Sequence, residues 1–218
     1  LLKVESNIAV LITFGSAICG GSAIAALAPV IKAKEHEITV ALGVVFTLNA
    51  LALIIFPSIG NWVVLTQEQF GLWAALAIHD TSSVVGASMQ YGAEALEVGT
   101  TVKLVRALWI IPLVFVVAFW IARKEKSRSG TVTKIKLPWF ILGFVAMAAL
   151  VTFVPVLQSA GELVSFGAKR LLILTLFLIG AGLSREALKQ VGVEPFLHGT
   201  ILWMAIMSVS LLAITLIV

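Results

Sequence analysis

Long apolar runs alternate with short charged connections along this chain, at 8–31, 38–60, 70–91, 98–122, 137–157, 167–183 and 195–218. A helix needs roughly 20 residues, with a range of about 17 to 25, to cross the hydrocarbon of a bilayer. Each run reaches that length or nearly does, so the pattern predicts an all-α polytopic membrane protein of about seven segments. The first run is interrupted in its middle by Gly15, Ser16, Gly20, Gly21 and Ser22. Glycine inside a helix costs about 1 kcal/mol relative to alanine, and non-helical backbone at membrane depth survives only where protein or a water-filled cavity lines it. The third run carries His79-Asp80-Thr81-Ser82-Ser83 between LWAALAI and VVGASM. Five adjacent polar residues there are expensive unless they face a cavity or one another. Asp-Thr-Ser-Ser also has the form of a helix start, where side-chain oxygens cap free amides. Two broken helices are therefore expected, one at each polar interruption. The alternative for the second is a surface loop on a shallow segment.

Composition supports the membrane reading. Of 218 residues, 60% are hydrophobic and 12% charged, against roughly 25% charged in soluble domains. A single transmembrane domain over 1–218 is expected, with no room for a separate soluble one. The net charge of +4 does not point to nucleic acid, because the basic residues gather in a few loops. The stretch from Arg123 to Lys136 holds six basic residues and one acid, which places it in the cytoplasm. Alternation then puts Glu94, Glu97 and Glu162 outside and Lys3, Arg185 and Lys189 inside. Trp62, Trp73, Trp120, Trp139 and Trp203 fall near segment ends and are expected to be interfacial anchors. The lone cysteine, Cys19, reads as a small buried packing residue. The opening LLKVESN, with no Met, predicts a fragment of a longer protein whose N-terminal part is missing.

Several residues carry candidate chemistry. His79 and Asp80 have the character of an ion-coupling pair, since an imidazole titrates near neutrality; a static hydrogen-bonded pair fits equally. With Thr81, Asp80 could instead hold sodium. Lys103 and Arg106, three apart, share one helical face. The apolar stretch after them, Ala107 to Ile121, would cover only about 23 Å of a core about 30 Å thick, so their turn belongs to the membrane helix. Such a pair suits a small oxyanion or lipid headgroups. Lys169-Arg170 is a similar pair. Gly180, Ala181, Gly182 and Ser184 form a second flexible patch, either a close helix contact or a break opposite the first. Asn49 is expected to make an interhelical hydrogen bond, and Pro57, Pro112 and Pro155 to kink or end helices. No phosphate-binding loop, HExxH or GxSxG is present, so neither an enzyme, nor a cofactor, nor a structural metal is expected.

At Phe14–Ile24, His79–Gly86, Val102–Leu108 and Leu176–Leu183 the chain resembles the YeiH-type (UPF0324) family of bacterial inner-membrane proteins, which carry a sulfate-exporter label. The resemblance implies an inverted-repeat transporter fold like that of bile-acid symporters and sodium/proton antiporters, with two broken helices crossing at the membrane centre. It implies a multi-pass inner-membrane location and sulfate as a candidate substrate. The expected function is secondary transport of a small anion. Ser16, Gly20, Gly21, Ser22, Ser82, Ser83, Lys103 and Arg106 would bind substrate, and His79, Asp80 and Thr81 would couple transport to protons or sodium. The alternatives are a sodium- or proton-coupled carrier of an organic acid and a membrane scaffold or sensory module.

Overall fold

The structure, a computed structural model, describes residues 4–126 and 191–217 together with isolated positions between 147 and 177. The continuous parts form eight helices: α1 Ser6–Ala17, α2 Gly21–Leu27, α3 Glu35–Val63, α4 Gln67–Ala77, α5 Thr81–Tyr91, α6 Ala93–Ala107, α7 Ile110–Lys126 and α8 Val193–Ile217. Three stretches among the described residues are long and apolar enough to cross a membrane: Glu35–Val63, Ala93–Ile121 and Val193–Ile217. Apart from those isolated positions, the segments expected at 137–157 and 167–183, with Trp139, Pro155, Lys169 and the Gly180–Ser184 patch, lie outside the described residues. Arg170 is a described position, exposed, with its guanidinium 5.2 Å from the Phe166 ring.

The first and third apolar runs are each split, as their polar interruptions predict. The first becomes α1 and α2, separated by Ile18, Cys19 and Gly20. The third becomes α4 and α5, separated by Ile78, His79 and Asp80. Other boundaries differ from the apolar pattern. The α3 helix starts at Glu35, so Glu35 and Glu37 lie in its first turn, where acids offset the positive end of the helix dipole. Glu37 accepts from the Lys34 amide and from Asn7 Nδ2. The fourth run begins at Ala93 and is interrupted at Leu108 and Trp109, just ahead of Pro112. Pro57, by contrast, sits inside α3, which continues past it.

The α3 helix lies at the centre of the core. Its Leu48, Ala52 and Phe56 pack with Phe70 and Trp73 of α4 and Trp203 of α8. Phe56 stacks on Trp73 with ring centroids 4.2 Å apart. Two of the expected interfacial tryptophans are therefore core residues, Trp73 at 0% exposure and Trp203 at 4%. Within a bilayer lipid tails are as apolar as Leu, so helices are joined by packing and hydrogen bonds rather than by escape from water. Both indoles meet that demand: Trp73 Nε1 donates to the Met207 carbonyl and Trp203 Nε1 to the Ala77 carbonyl, each at 3.1 Å. Trp62 is 85% exposed, as an anchor would be.

Small residues bring α4 and α6 into backbone contact. A Cβ on Gly71 would lie 2.8 Å from the Ala95 carbonyl oxygen and 3.0 Å from the Gly99 nitrogen. Neither Ala nor anything larger fits without moving a helix. Lys103 and Arg106 follow Gly99 by four and seven residues, on the same face. The glycine contact thus carries both cations to the C-terminal end of α4.

Candidate functional site: two helix breaks that meet

A helix ends with four backbone carbonyls that have no partner within it. Exposed to water they would be hydrated; inside a membrane each needs a donor. At the end of α4 every one is supplied by a side chain from another helix. The Ala75 oxygen accepts from Lys103 Nζ at 3.3 Å and from Arg106 Nη1 at 3.0 Å. Leu76 accepts from Arg106 Nη1 at 2.7 Å, Ala77 from Trp203, and Ile78 from Lys103 Nζ at 2.6 Å. The end of α1 is treated in the same way. Ser16 and Ala17 accept from Arg106, with Nη2 at 3.0 and 2.7 Å, and Ile18 accepts from Lys103 Nζ at 3.1 Å. Two cations on one face of α6 therefore tie together the C-terminal ends of both interrupted helices. Cations belong at that end of the dipole, and hydrogen bonds from charged donors are the strong ones.

The other ends differ. Asp80 is the N-cap of α5: its Oδ2 accepts from the amides of Ser82 at 3.0 Å and Ser83 at 3.2 Å. The amides of His79 and Asp80 donate to Asn49 Oδ1 on α3 at 3.0 and 3.3 Å. The α2 helix starts on Gly20 with no side-chain cap. Gly20 has φ 67° and ψ −121°, a conformation of mirror-image turns that glycine dominates. A Cβ there would lie 3.4 Å from both the carbonyl carbon and the oxygen of His79. The two breaks are in contact at this point.

Polar atoms without partners gather around the contact. Both ring nitrogens of His79, Ser16 Oγ and Asn49 Nδ2 are buried and make no hydrogen bond. Buried polar groups are nearly always paired, so unpaired ones call for an explanation such as a water or an ion. His79 and Asp80 are adjacent, yet their side chains are not hydrogen-bonded to each other, because neither imidazole nitrogen has a partner. Cys19 is buried and free, packed with Ile18, Ala23, Ile110 and Val114.

Of the residues expected to bind substrate or couple ions, the structure brings Ser16, Gly20, His79, Asp80, Lys103 and Arg106 to this crossing. Ser82 and Ser83 are buried in the first turn of α5 behind the Asp80 cap. Thr81 opens that turn, half-buried. Gly21 faces α3, where an added Cβ would meet the Phe46 ring at 3.1 Å, and Ser22 is exposed. Lys103 and Arg106 already have backbone partners, so the charge that suits an oxyanion is held against helix ends. Asn49 makes the hydrogen bonding expected of it, but two contributions and its place at the second break escaped the sequence reading: Trp203 caps α4, and the acceptors of both cations are main-chain oxygens. A hydrogen-bonding side chain on an apolar segment, an acceptor in Asn49 and a donor in Trp203, was the only signal.

The family model described as conserved hypothetical protein 698 matches residues 1–199. A UPF0324 membrane protein of Bdellovibrio bacteriovorus is 59% identical over 98% of this chain and 66% of its own length. One from Geobacter sulfurreducens is 50% identical over 99% of this chain and 67% of its own length. One from Bacteroides thetaiotaomicron is 50% identical over 98% of this chain and 62% of its own length. No solved structure matches. The chain spans about two thirds of the length of these relatives, and it belongs to the UPF0324 family of membrane proteins.

Proposed function

We propose that this chain is the substrate-binding part of a secondary transporter for a small anion in the bacterial inner membrane. The observation that carries the reading is the meeting of two interrupted helices, with the buried and unpartnered polar atoms of His79, Ser16 and Asn49 around it. Discontinuous helices of this kind form the substrate and ion sites of secondary transporters. A scaffold has no use for helices broken inside its core. The inverted-repeat architecture of bile-acid symporters and sodium/proton antiporters belongs to the same proposal.

Charge favours an anion and limits its valence. Each helix end is equivalent to about half an elementary charge, positive at N-termini and negative at C-termini. Two ends of each kind meet at the crossing and offset one another. Lys103 and Arg106 then stand against one carboxylate, Asp80, which leaves a single formal positive charge. A singly charged anion neutralises the site. A sulfate dianion would overshoot unless a proton travels with it. The carboxylate of an organic acid carries the same single charge, so size rather than charge separates that reading from an inorganic anion. No step of this function calls for chemistry on the substrate.

Counterflow into proteoliposomes containing a full-length protein tests the proposal. We expect saturable exchange of labelled small monoanions, with sulfate entering in exchange for a monoanion accompanied by net proton movement. Sealed vesicles that exchange no anion at all would reject the transport reading. Exchange of sulfate for a monoanion without net proton movement would reject the charge argument alone.

A further inference from the structure

Lys103 is fully buried, on α6. Its ammonium has three protons to donate, and three backbone carbonyls receive them: Ile18 at 3.1 Å, Ala75 at 3.3 Å and Ile78 at 2.6 Å. Among the described residues no carboxylate forms an ion pair with it. The acceptors come from two chain breaks about sixty residues apart and converge on one point. Carbonyl oxygens from unwound helix ends are the usual coordination of a bare sodium or potassium ion inside a membrane protein. We propose that Lys103 is a tethered cation: its ammonium fills a monovalent-cation site made by the carbonyls of Ile18, Ala75 and Ile78.

Two consequences follow from that geometry. With the ammonium in place, no inorganic cation is needed to hold the breaks together, and none can enter. With the side chain cut back, the three oxygens are left facing one another without a donor, and a free cation of similar size takes the place of the ammonium. Potassium and methylammonium match an ammonium more closely than sodium does; choline is too large. Arg106 shares the Ala75 oxygen and stays in place, so its charge weakens the vacated site without filling it. For the proposed transport, inorganic sodium is thereby removed as a coupling ion at these carbonyls. The proposal uses the crossing but not the substrate, and its test reads stability. It can fail with transport intact and hold with transport disproved.

The experiment is thermal unfolding of a full-length family member carrying these residues, in detergent, in potassium, sodium, methylammonium or choline chloride at equal ionic strength. Wild type should unfold at one temperature in all four salts. Lys103→Ala should be stabilised saturably by potassium and methylammonium over choline, by about 2–3 °C at ten times the half-saturating concentration. Lys103→Met, whose side chain fills the space without charge, should show no such discrimination. The proposal is overturned if folded Lys103→Ala unfolds at the same temperature in every salt. It is equally overturned if Lys103→Ala folds in none of them while Lys103→Met folds normally, since the position then needs bulk rather than charge. Wild type needs no variant to fold, and its selective stabilisation by sodium or potassium would also sink the idea.

Discussion

The two helix breaks solve one problem by different means. Both leave their C-terminal carbonyls to the same cations of α6, but they diverge at the residues that follow. Between α4 and α5 the backbone stays in ordinary extended conformations, with φ −89° and ψ 130° at Ile78 and φ −96° and ψ 143° at Asp80. Side chains hold that break: Asn49 takes two of its amides and Asp80 takes two more. Between α1 and α2 no side chain caps the helix start, and the turn depends on Gly20 at positive φ. One break is fixed by replaceable side chains and the other by a backbone conformation that glycine tolerates best. Substitutions should therefore fail in different ways at the two places.

The largest effect is expected where the breaks share a partner. Arg106→Ala removes the side-chain donor from the Ser16, Ala17 and Leu76 carbonyls; Ala17 is exposed, so the other two set the cost, roughly 2–6 kcal/mol at about 1–3 kcal/mol for each acceptor left unpaired. Unfolding in mixed micelles measures it, and wild-type stability would contradict the shared-cap account. Loss of anion uptake in this variant would not by itself show that Arg106 touches substrate. Next comes Asn49→Leu, which keeps bulk but strands two buried amides at the second break. About 2–4 kcal/mol should be lost, and a loss below 1 kcal/mol would mean that the break does not need its pin. Smaller again is Asp80→Ala, at about 0.5–2 kcal/mol for a lost N-cap. Asp80→Asn keeps the cap and should fold like wild type, so any change in its pH- or cation-dependent transport reports coupling rather than stability. At the first break Ser22→Ala should stay within about 0.5 kcal/mol of wild type, because no cap is there to lose.

Both breaks were legible in the sequence because each rests on residue types with a local meaning. Gly20 and its neighbours mark a backbone that leaves the helix, and Asp80 ahead of Thr81, Ser82 and Ser83 marks one that begins. The partners of Lys103 and Arg106 were not legible. Their acceptors are main-chain oxygens, which every residue carries, and they lie 25 to 90 positions away along the chain. An isolated positive charge in an apolar run therefore read as a site for an oxyanion. Trp73 and Trp203 were misplaced for a related reason. Position within an apolar run does not say which face meets lipid and which meets protein, and here the indole N–H groups point at carbonyls of neighbouring helices. Asn49 was read as an interhelical hydrogen bond, which the structure bears out, but its role at a break depends on where α3 passes.

The central claim is that anion exchange depends on the contact between the two breaks, and Gly20 is where that contact can be disturbed with least damage elsewhere. In Gly20→Ala an L-residue is forced into a sparsely populated backbone region, at a cost of about 1–3 kcal/mol. The new methyl group also lies 3.2 Å from Val45 Cγ1, which must give by a few tenths of an ångström, and at contact distance, 3.4 Å, from the His79 carbonyl, so the strained turn is felt where the breaks meet. Anion counterflow in proteoliposomes, measured side by side for wild type and Gly20→Ala of a full-length protein, reads the consequence directly. The account predicts saturable exchange by wild type and a rate lower by roughly tenfold or more in a variant that still folds, as small misplacements at a working site produce. Gly20→Ala protein that is equally well folded and exchanges anions at the wild-type rate would contradict it.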